Sequence, residues 1–426
     1  MSKLDTAPYK GVRDFYPEDQ FIQNYIFDKW RKVAESFGYD EISASILEPS
    51  NIYKEKSGEE IINEQTYTFF DRGNREVTLR PEMTPTIARM ISRKQRNLPT
   101  PIRWYSIPNL FRYEAPQRGR LREHWQLNCD LFGVDNLEAE VEIISLAHKL
   151  MTSLGAKSND FIIKINDLQL MDKWFTESYQ ISDKNTQRQI FKVLDKKRKI
   201  TEAEFEKRLL PINQIKYEQF RKELNLDINE FVKILNSEKS NQTIINIKNK
   251  LNLLGIKNIE FDPTITRGLD YYSGVVFEIF DTNSKNKRSL FGGGRYDNLT
   301  KLFDGNDMSA VGFGAGDVPI KDFLETHDLL PNYVNDIKLM IIPFNQGLFD
   351  VASKLATDLR QQGLSVAIDW TEKKVGNAIK NADKQKIPYV LVIGENEVKN
   401  NIYKVKNLES GEEKEVKATE IAECIK

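Results

Sequence analysis

The stretch FRYEAPQRGRLREHWQLNCDLFG, residues 111–133, decides how this chain is read. Residues 102–112 and 124–133 have the texture of two strands, and the polar segment 113–123 joins them, with Pro116 and Gly119 as breakers. The result is a hairpin with an oversized loop, and long loops in compact domains are commonly functional. The loop also sits in a local reversal of cation choice. The 426-residue chain holds 41 Lys and 21 Arg, yet nine Arg and only one Lys, Lys94, fall between residues 80 and 122. Solubility does not require that choice. Arginine offers a planar, permanently charged fork that matches phosphate and carboxylate. Two uses follow from this: an anion-binding surface, or a structural network of arginines and carboxylates.

Outward from the hairpin, residues 18–38 predict an amphipathic helix. Phe21, Ile22, Tyr25, Ile26, Trp30, Val33, Ala34 and Phe37 recur at helical spacing and Gly38 follows as a stop. Val77 and Leu79 alternate with polar residues, as on a strand. Residues 137–154 predict a helix ending at Gly155, and Phe161 to Ile165 a buried strand. Residues 168–258 are poor in glycine, dense in charge and helical in period. From 181 to 260 there are 17 Lys/Arg against 11 Asp/Glu. This predicts a helical insertion whose basic face either meets a polyanion or is simply solvated. Glycine then returns: nine of 22 lie between Gly268 and Gly316, including Gly292-Gly293-Gly294 and the run Gly312-Phe313-Gly314-Ala315-Gly316. Such residues permit close backbone approach or positive φ, and ordinary turns and tight packing use them as well. A helix is expected near 318–327 and a linker over 327–336, with Asp328, Pro331 and Asn335. From Leu339 to Ile393 strand and helix alternate, as in a small α/β domain with a mainly parallel sheet. Residues 336–426 carry 14 basic and 14 acidic residues, so charge does not reveal what that domain meets.

The length suggests two to three domains at roughly 150 residues each. With 62 basic and 63 acidic residues, a polyanionic partner must be met by local patches. No run approaches 18 consecutive apolar residues, and the opening MSKLDTAPYK lacks an apolar core, so a cytoplasmic protein with neither membrane span nor secretory leader is expected. Cys129 and Cys424, with His124, His148 and His327, are scattered without metal-ligand spacing, so neither a disulfide framework nor a protein-built metal site is expected.

The hairpin resembles motif 2 of the class II aminoacyl-tRNA synthetases, in its histidyl version. Leu79-Arg80-Pro81-Glu82-Met83-Thr84 resembles that family's amino-acid-binding turn. Arg267-Gly268-Leu269-Asp270-Tyr271-Tyr272 resembles the signature that marks histidyl-tRNA synthetases, and Gly292-Gly293-Gly294-Arg295-Tyr296-Asp297 the glycine-rich strand after it. The opening KGVRDFYPED, residues 10–19, and the tail around Ala382-Asp383 fit as well. Each motif alone is weak. Their order and spacing together cover essentially the whole chain. The resemblance implies a class II core, an antiparallel sheet flanked by helices, with a helical insertion and a C-terminal anticodon-binding-like α/β domain. Its parts would be 1–167 and 259–327 for the catalytic core, 168–258 for the insertion and 336–426 for the C-terminal domain. The activity it implies joins L-histidine to ATP, releases pyrophosphate, and passes histidine to tRNA-His, with Mg²⁺ on the outer phosphates and a homodimer as the assembly.

That chemistry needs two anions held close together and charge stabilised at phosphorus, which fixed arginines suit. By resemblance, Arg112 contacts the α-phosphate and the carboxylate, Arg120 reaches the outer phosphates, Glu114 faces the adenine, and Arg267 is a second cation at the α-phosphate. Glu82, Thr84 and Gln126 would take the α-ammonium group. Asp130 and Tyr272 would take the imidazole nitrogens, with Tyr271 and Tyr296 nearby. An unpaired buried polar atom costs about 1–3 kcal/mol, so such a pocket rejects side chains that cannot satisfy it.

The chain departs from the family pattern in places. Pro319 stands where motif 3 usually has the arginine that stacks on adenine. His124 stands where motif 2 usually has a phenylalanine. Adenine is therefore expected on His124 and the backbone near Gly314 and Gly316. Ser45 replaces the usual motif 1 proline, and Asp130 stands where many members carry Glu. A different reading remains beside this one: some synthetase-like proteins are non-catalytic regulatory subunits of ATP phosphoribosyltransferase, typically without the C-terminal domain and with a degraded signature.

Overall fold

The structure, a computed structural model, describes residues 4–54, 65–212, 215–235, 242–266, 271–297, 299–303 and 305–425. Contacts divide the chain into two units, one ending at Pro331 and one beginning at Asn332.

In the first unit, helix α1 (Pro17–Ser36) opens on a proline with Glu18 and Asp19 in its first turn, which suits the positive end of a helix. It buries Ile26, Trp30, Val33 and Ala34, and Gly38 follows its C-cap at φ +79°. Strands β1 (Asp40–Glu41), β2 (Leu47–Pro49), β3 (Tyr67–Phe70) and β4 (Glu76–Leu79) precede helix α2 (Thr84–Lys94). Then come β5 (Ile102–Ser106), β6 (Asn109–Phe111), β7 (Glu123–Phe132), α3 (Glu138–Ser153) and β8 (Phe161–Asp167). The helical stretch follows as α4 (Leu168–Tyr179), α5 (Lys184–Lys196), α6 (Glu202–Leu209), α7 (Tyr217–Glu223), α8 (Ile228–Lys233) and α9 (Thr243–Leu253). The chain returns to the sheet with β9 (Ile259–Phe261), β10 (Val275–Asp281), β11 (Ser289–Arg295) and β12 (Ala310–Gly316), and closes the unit with α10 (Asp317–Thr326).

Among the described residues, nine strands form one sheet in the order β1-β5-β7-β12-β11-β10-β8-β9, with β6 paired to the start of β7. The interior pairs are antiparallel, as expected from the hairpin. The two edge pairs, β1–β5 and β8–β9, are parallel, so the expected antiparallel sheet is in fact mixed. β1 and β9 are two and three residues long, too short to show a period in sequence. The glycines of β11 and β12 lie side by side, with Gly292 opposite Gly314 and Gly294 opposite Gly312. A β-carbon on Gly293 would fall on the Gly312 carbonyl, so these positions are glycine because backbone approaches backbone.

One face of the sheet carries α1, α3 and the helical stretch in a single core. There Trp174 stacks on Phe220 at 4.8 Å, and the buried Glu223 accepts from Trp174 Nε1 and Tyr179 Oη, each at 2.7 Å. Arg295 and Glu140 are both buried and paired in a fork, which ties β11 to α3. The other face carries α2, whose Ile87 and Ile91 pack in one cluster with Phe132, Tyr271 and Tyr296.

The second unit contains β13 (Leu339–Pro343), α11 (Phe349–Gln361), β14 (Val366–Ile368), α12 (Val375–Lys384), β15 (Tyr389–Ile393), β16 (Ile402–Asn407) and β17 (Glu413–Lys417). Its sheet runs β14-β13-β15-β16-β17. The first three strands are parallel, but β16 and β17 form an antiparallel hairpin, which corrects the expected mainly parallel sheet to a mixed one. Lys404, Lys406, Glu413 and Glu415 fill that hairpin, and their charge hides a strand that buries only Tyr403 and Val405. Among the described residues no helix is long and apolar enough to cross a membrane.

Candidate active site

The pocket lies over the middle of the large sheet, with a volume of about 900 Å³. Strand periodicity builds its floor. On β7 the residues Gln126, Asn128 and Asp130 line the pocket, while Leu127, Cys129 and Leu131 enter the core beneath. On β12 the facing positions Gly312, Gly314 and Gly316 line it too. A β-carbon on Gly312 would strike Asp130, and one on Gly314 would strike the Gln126 amide, so absent side chains there leave room for present ones.

The polar groups at one end form a connected set. Tyr296 donates its hydroxyl to Asp130 Oδ1, and Asp130 Oδ2 is buried with no partner among the described residues. Burial pushes the Asp130 carboxyl up to about 7, and the Tyr296 hydrogen bond only partly opposes this. Glu82 is buried and accepts from Tyr271 Oη at 3.1 Å. Tyr271 and Tyr272 lie 4.9 Å apart between ring centres, and Tyr271 and Tyr296 5.5 Å. Gln126 Nε2 donates to Asn128 Oδ1 at 2.7 Å, and Thr84 lines the pocket from the first turn of α2.

The other end is cationic. Arg112 donates from Nε to the Pro81 carbonyl at 2.8 Å, so the turn before α2 aims it. Arg120 pairs with Glu114 at 3.0 Å, two residues expected to serve different parts of a nucleotide. His124 lies close to Gly316, on whose β-carbon position Pro319 also bears. Burial lowers His124 to about 3, helped by the Arg112, Arg13 and Arg120 charges, so its ring is neutral.

The structure thus brings together Glu82, Thr84, Arg112, Glu114, Arg120, His124, Gln126, Asp130, Tyr271, Tyr272, Tyr296, Gly314 and Gly316 in one cavity. Arg267, with Gly268, Leu269 and Asp270, lies outside the described residues. Of the nine arginines between 80 and 122, Arg112, Arg118 and Arg120 line the pocket. Others brace the fold: Arg80 donates to Ala44 O and Asn109 O, Arg89 pairs with Glu48, and Arg103 with Glu142. The cluster is therefore divided between the pocket lining and the bracing of the fold.

Sequence reasoning passed over Asn128, which the two-residue alternation between Gln126 and Asp130 marks as pocket-facing. It also passed over Glu278 on β10, Arg288 before β11 and Arg198 after α5, which line the same pocket. Arg198 reaches it by pairing with Asp262 and lying 4.4 Å over the Phe280 ring. No local sequence signal marks these three.

Comparison with known proteins gives first a class, that of aminoacyl-tRNA ligases, and then a family. The chain matches the family model described as histidyl-tRNA synthetase over residues 11–316, and the anticodon binding domain over 338–426. It is 42% identical to the histidine–tRNA ligase of Leptospira biflexa over 413 residues, 96% of this chain and 94% of that one. It is 36% identical to the histidine–tRNA ligase of Thermoplasma volcanium over 421 residues, 95% and 94% of the two chains. In fold it is similar to a crystal structure of histidyl-tRNA synthetase from Nostoc sp. PCC 7120, with a TM-score of 0.83 at 23% identity and 99% of both chains covered. It is also similar to an ATP phosphoribosyltransferase regulatory subunit/histidyl-tRNA synthetase from Bacillus halodurans, with a TM-score of 0.73 at 22% identity, covering 89% of this chain and 97% of that one. The chain belongs to the histidyl-tRNA synthetase family.

Proposed function

We propose that this chain is a histidine–tRNA ligase, working with the residues named below. It activates L-histidine with ATP to histidyl-adenylate and pyrophosphate, then transfers histidine to the 3′ end of tRNA-His. The observation that carries the site assignment is a single cavity with a buried carboxylate–tyrosine set at one end and arginines at the other. Histidine offers an ammonium group, a carboxylate and two ring nitrogens. Glu82, Thr84 and Gln126 receive the ammonium. Asp130 and Tyr272 receive the ring, and the partnerless Asp130 Oδ2 is the acceptor a ring N–H requires.

The histidine carboxylate oxygen attacks the α-phosphorus, the bond to the bridging oxygen breaks, and pyrophosphate departs. Arg112, held by the Pro81 carbonyl, orients both reacting anions and offsets charge growing at phosphorus. Arg120 takes the outer phosphates, which requires it to leave Glu114 or share it. Adenine lies against the neutral His124 ring and the backbone of Gly314 and Gly316. In the second step a terminal tRNA hydroxyl attacks the carbonyl carbon, the bond from that carbon to the phosphate oxygen breaks, and AMP leaves as the hydroxyl proton passes to its phosphate. Positioning and fixed charge do this work, and no covalent enzyme intermediate is needed.

Among the described residues no group of three His, Cys, Asp or Glu could hold a metal. Mg²⁺ usually takes one or two carboxylates together with substrate phosphates, and Glu114 and Glu278 line the pocket with that chemistry. When bound, Mg²⁺ would neutralise negative charge on the nucleotide. The finer assignments belong to the same proposal: catalytic parts over 1–167 and 259–327, an insertion over 168–258 that meets the tRNA acceptor arm, a C-terminal domain over 336–426 that meets the anticodon, a homodimer, and a cytoplasmic setting.

The regulatory-subunit reading is not favoured. This chain matches the anticodon binding domain over 338–426 and histidine–tRNA ligases over 96% of its length. The deciding experiment is ATP–pyrophosphate exchange with each amino acid in turn, with Mg²⁺ and without tRNA. Exchange with histidine alone is expected. No exchange with any amino acid would overturn the proposal.

A further inference from the structure

Outside the motifs, one cation in the pocket is placed unlike the rest. Arg288 ends the turn between β10 and β11, on a chain segment well removed from the arginine-rich loop 113–123. Two hydrogen bonds strap that turn to the loop: Arg288 Nη2 donates to Gln117 Oε1 at 3.1 Å, and Arg118 Nε donates to Asn286 Oδ1 at 3.0 Å. Asn286 is itself fixed, donating from Nδ2 to Asp281 Oδ2 at 2.7 Å and to Thr326 Oγ1 at 3.1 Å. The turn is therefore an anchored wall of the pocket.

Charge is unbalanced at this wall. Among the described residues no carboxylate lies within ion-pair distance of Arg288, whose one hydrogen-bond partner is the neutral Gln117 amide. The neighbouring Arg120 already holds Glu114. Two guanidinium groups thus act on one carboxylate. Desolvation first and the Arg120 charge second lower the Arg288 pKa, while Glu114 raises it, so all three groups feel one another. Surplus positive charge at the mouth of a pocket favours an anion with several oxygens.

We propose that Arg288 is an ATP-binding residue that grips the outer phosphates together with Arg120 from the β10–β11 turn. This rests on the ligase reading for its nucleotide. The same turn carries Lys285 and Lys287 into the pocket lining, which keeps the wall positive as the triphosphate enters. Arg112 is then left to the α-phosphate.

The test uses the full-length chain and equilibrium binding of ATP, AMP and inorganic pyrophosphate, each with Mg²⁺, beside histidine-dependent exchange. Arg288→Gln is expected to weaken ATP and pyrophosphate about tenfold, the scale of one charged contact. AMP affinity and the KM for histidine stay unchanged, and Arg288→Lys recovers most of the loss. Gln117→Ala removes one of the two strapping bonds and keeps the charge, so it should move ATP affinity less than about threefold. Equal weakening of AMP and ATP, a Gln117→Ala effect as large as that of Arg288→Gln, or no effect on ATP at all would overturn the inference. So would a loss seen only in the KM for tRNA, which would assign Arg288 to the nucleic acid. The two claims separate cleanly. A wild type without histidine-dependent exchange whose ATP affinity still depends on Arg288 defeats the ligase reading alone, and normal exchange with an indifferent Arg288→Gln defeats this one alone.

Discussion

Tyr296 donates its hydroxyl to one oxygen of Asp130, and the other oxygen of that buried carboxyl has no partner among the described residues. The pair bridges β7 and the residue just after β11, with β12 between those strands in the sheet. Burial, against the Tyr296 hydrogen bond, raises the carboxyl to about 7, near working pH.

A raised acid binds its proton more tightly in the folded state than in the unfolded one. Its contribution to stability is therefore full below about pH 4 and is lost as pH climbs through about 7. Asp130→Asn removes that loss. The melting temperature of the variant minus that of the wild type should rise between about pH 4.5 and pH 7 and level off above, as followed by circular dichroism. A constant difference would mean that Asp130 does not titrate in this window. The same variant should raise the KM for histidine by tenfold or more, since the ring N–H loses its carboxylate.

His124 is the opposite case. Its folded pKa falls to about 3, so its contribution is present above the ordinary histidine value near 6.5 and is lost as pH falls below it. His124→Phe should therefore lose less stability than wild type between pH 7 and pH 5. His124→Ala should raise the KM for ATP several-fold and leave that for histidine alone. An unchanged KM for ATP would remove His124 from the adenine.

Gly312→Ala places a methyl group against Asp130 and 2.8 Å from the Cys129 carbonyl, which cannot move without the sheet. It should destabilise the chain by about 1–3 kcal/mol, the usual range for overpacking, and abolish detectable histidine-dependent exchange. Gly314→Ala meets the side chains of Gln126 and, at 3.3 Å, Asn128 as its nearest neighbours. It should fold nearly as well and show its effect in the KM for histidine. Equal behaviour of the two variants in a urea titration would count against this reading of the floor.

Residues 181–260 hold 17 Lys/Arg against 11 Asp/Glu. If their basic face meets tRNA, the logarithm of the binding constant should fall linearly with the logarithm of salt concentration. Replacing Lys192 and Lys196 with Gln should reduce that slope by roughly one to two. A slope indifferent to both would leave the face merely solvated.

The sequence was most informative where period and spacing act locally. The α1 pattern ending at Gly38, the strand to Phe132 and the glycine run from Gly312 each describe one element, and each was legible. What was hidden depends on distant pairing. Arg288 and Gln117 are 171 positions apart, as Arg295 and Glu140 are 155, and nothing near either residue announces the other. Arg295 shows the point well: inside a motif that reads as part of a substrate site, its guanidinium is spent on a buried carboxylate. The β16–β17 hairpin was missed because its alternating Lys and Glu look like solvent-exposed coil until Tyr403 and Val405 are seen facing inward.

The glycines of β11 and β12 carry a consequence for how such a pocket can change. Where Gly293 meets the Gly312 carbonyl, the smallest possible gain of atoms collides with backbone rather than with a movable side chain. At Gly293 and Gly312, mutational drift toward another substrate is closed off from below. A lineage departing from this chain's preference has to rework the side chains that stand beside them, such as Asp130, Tyr272 or Gln126, while the ground under them stays bare.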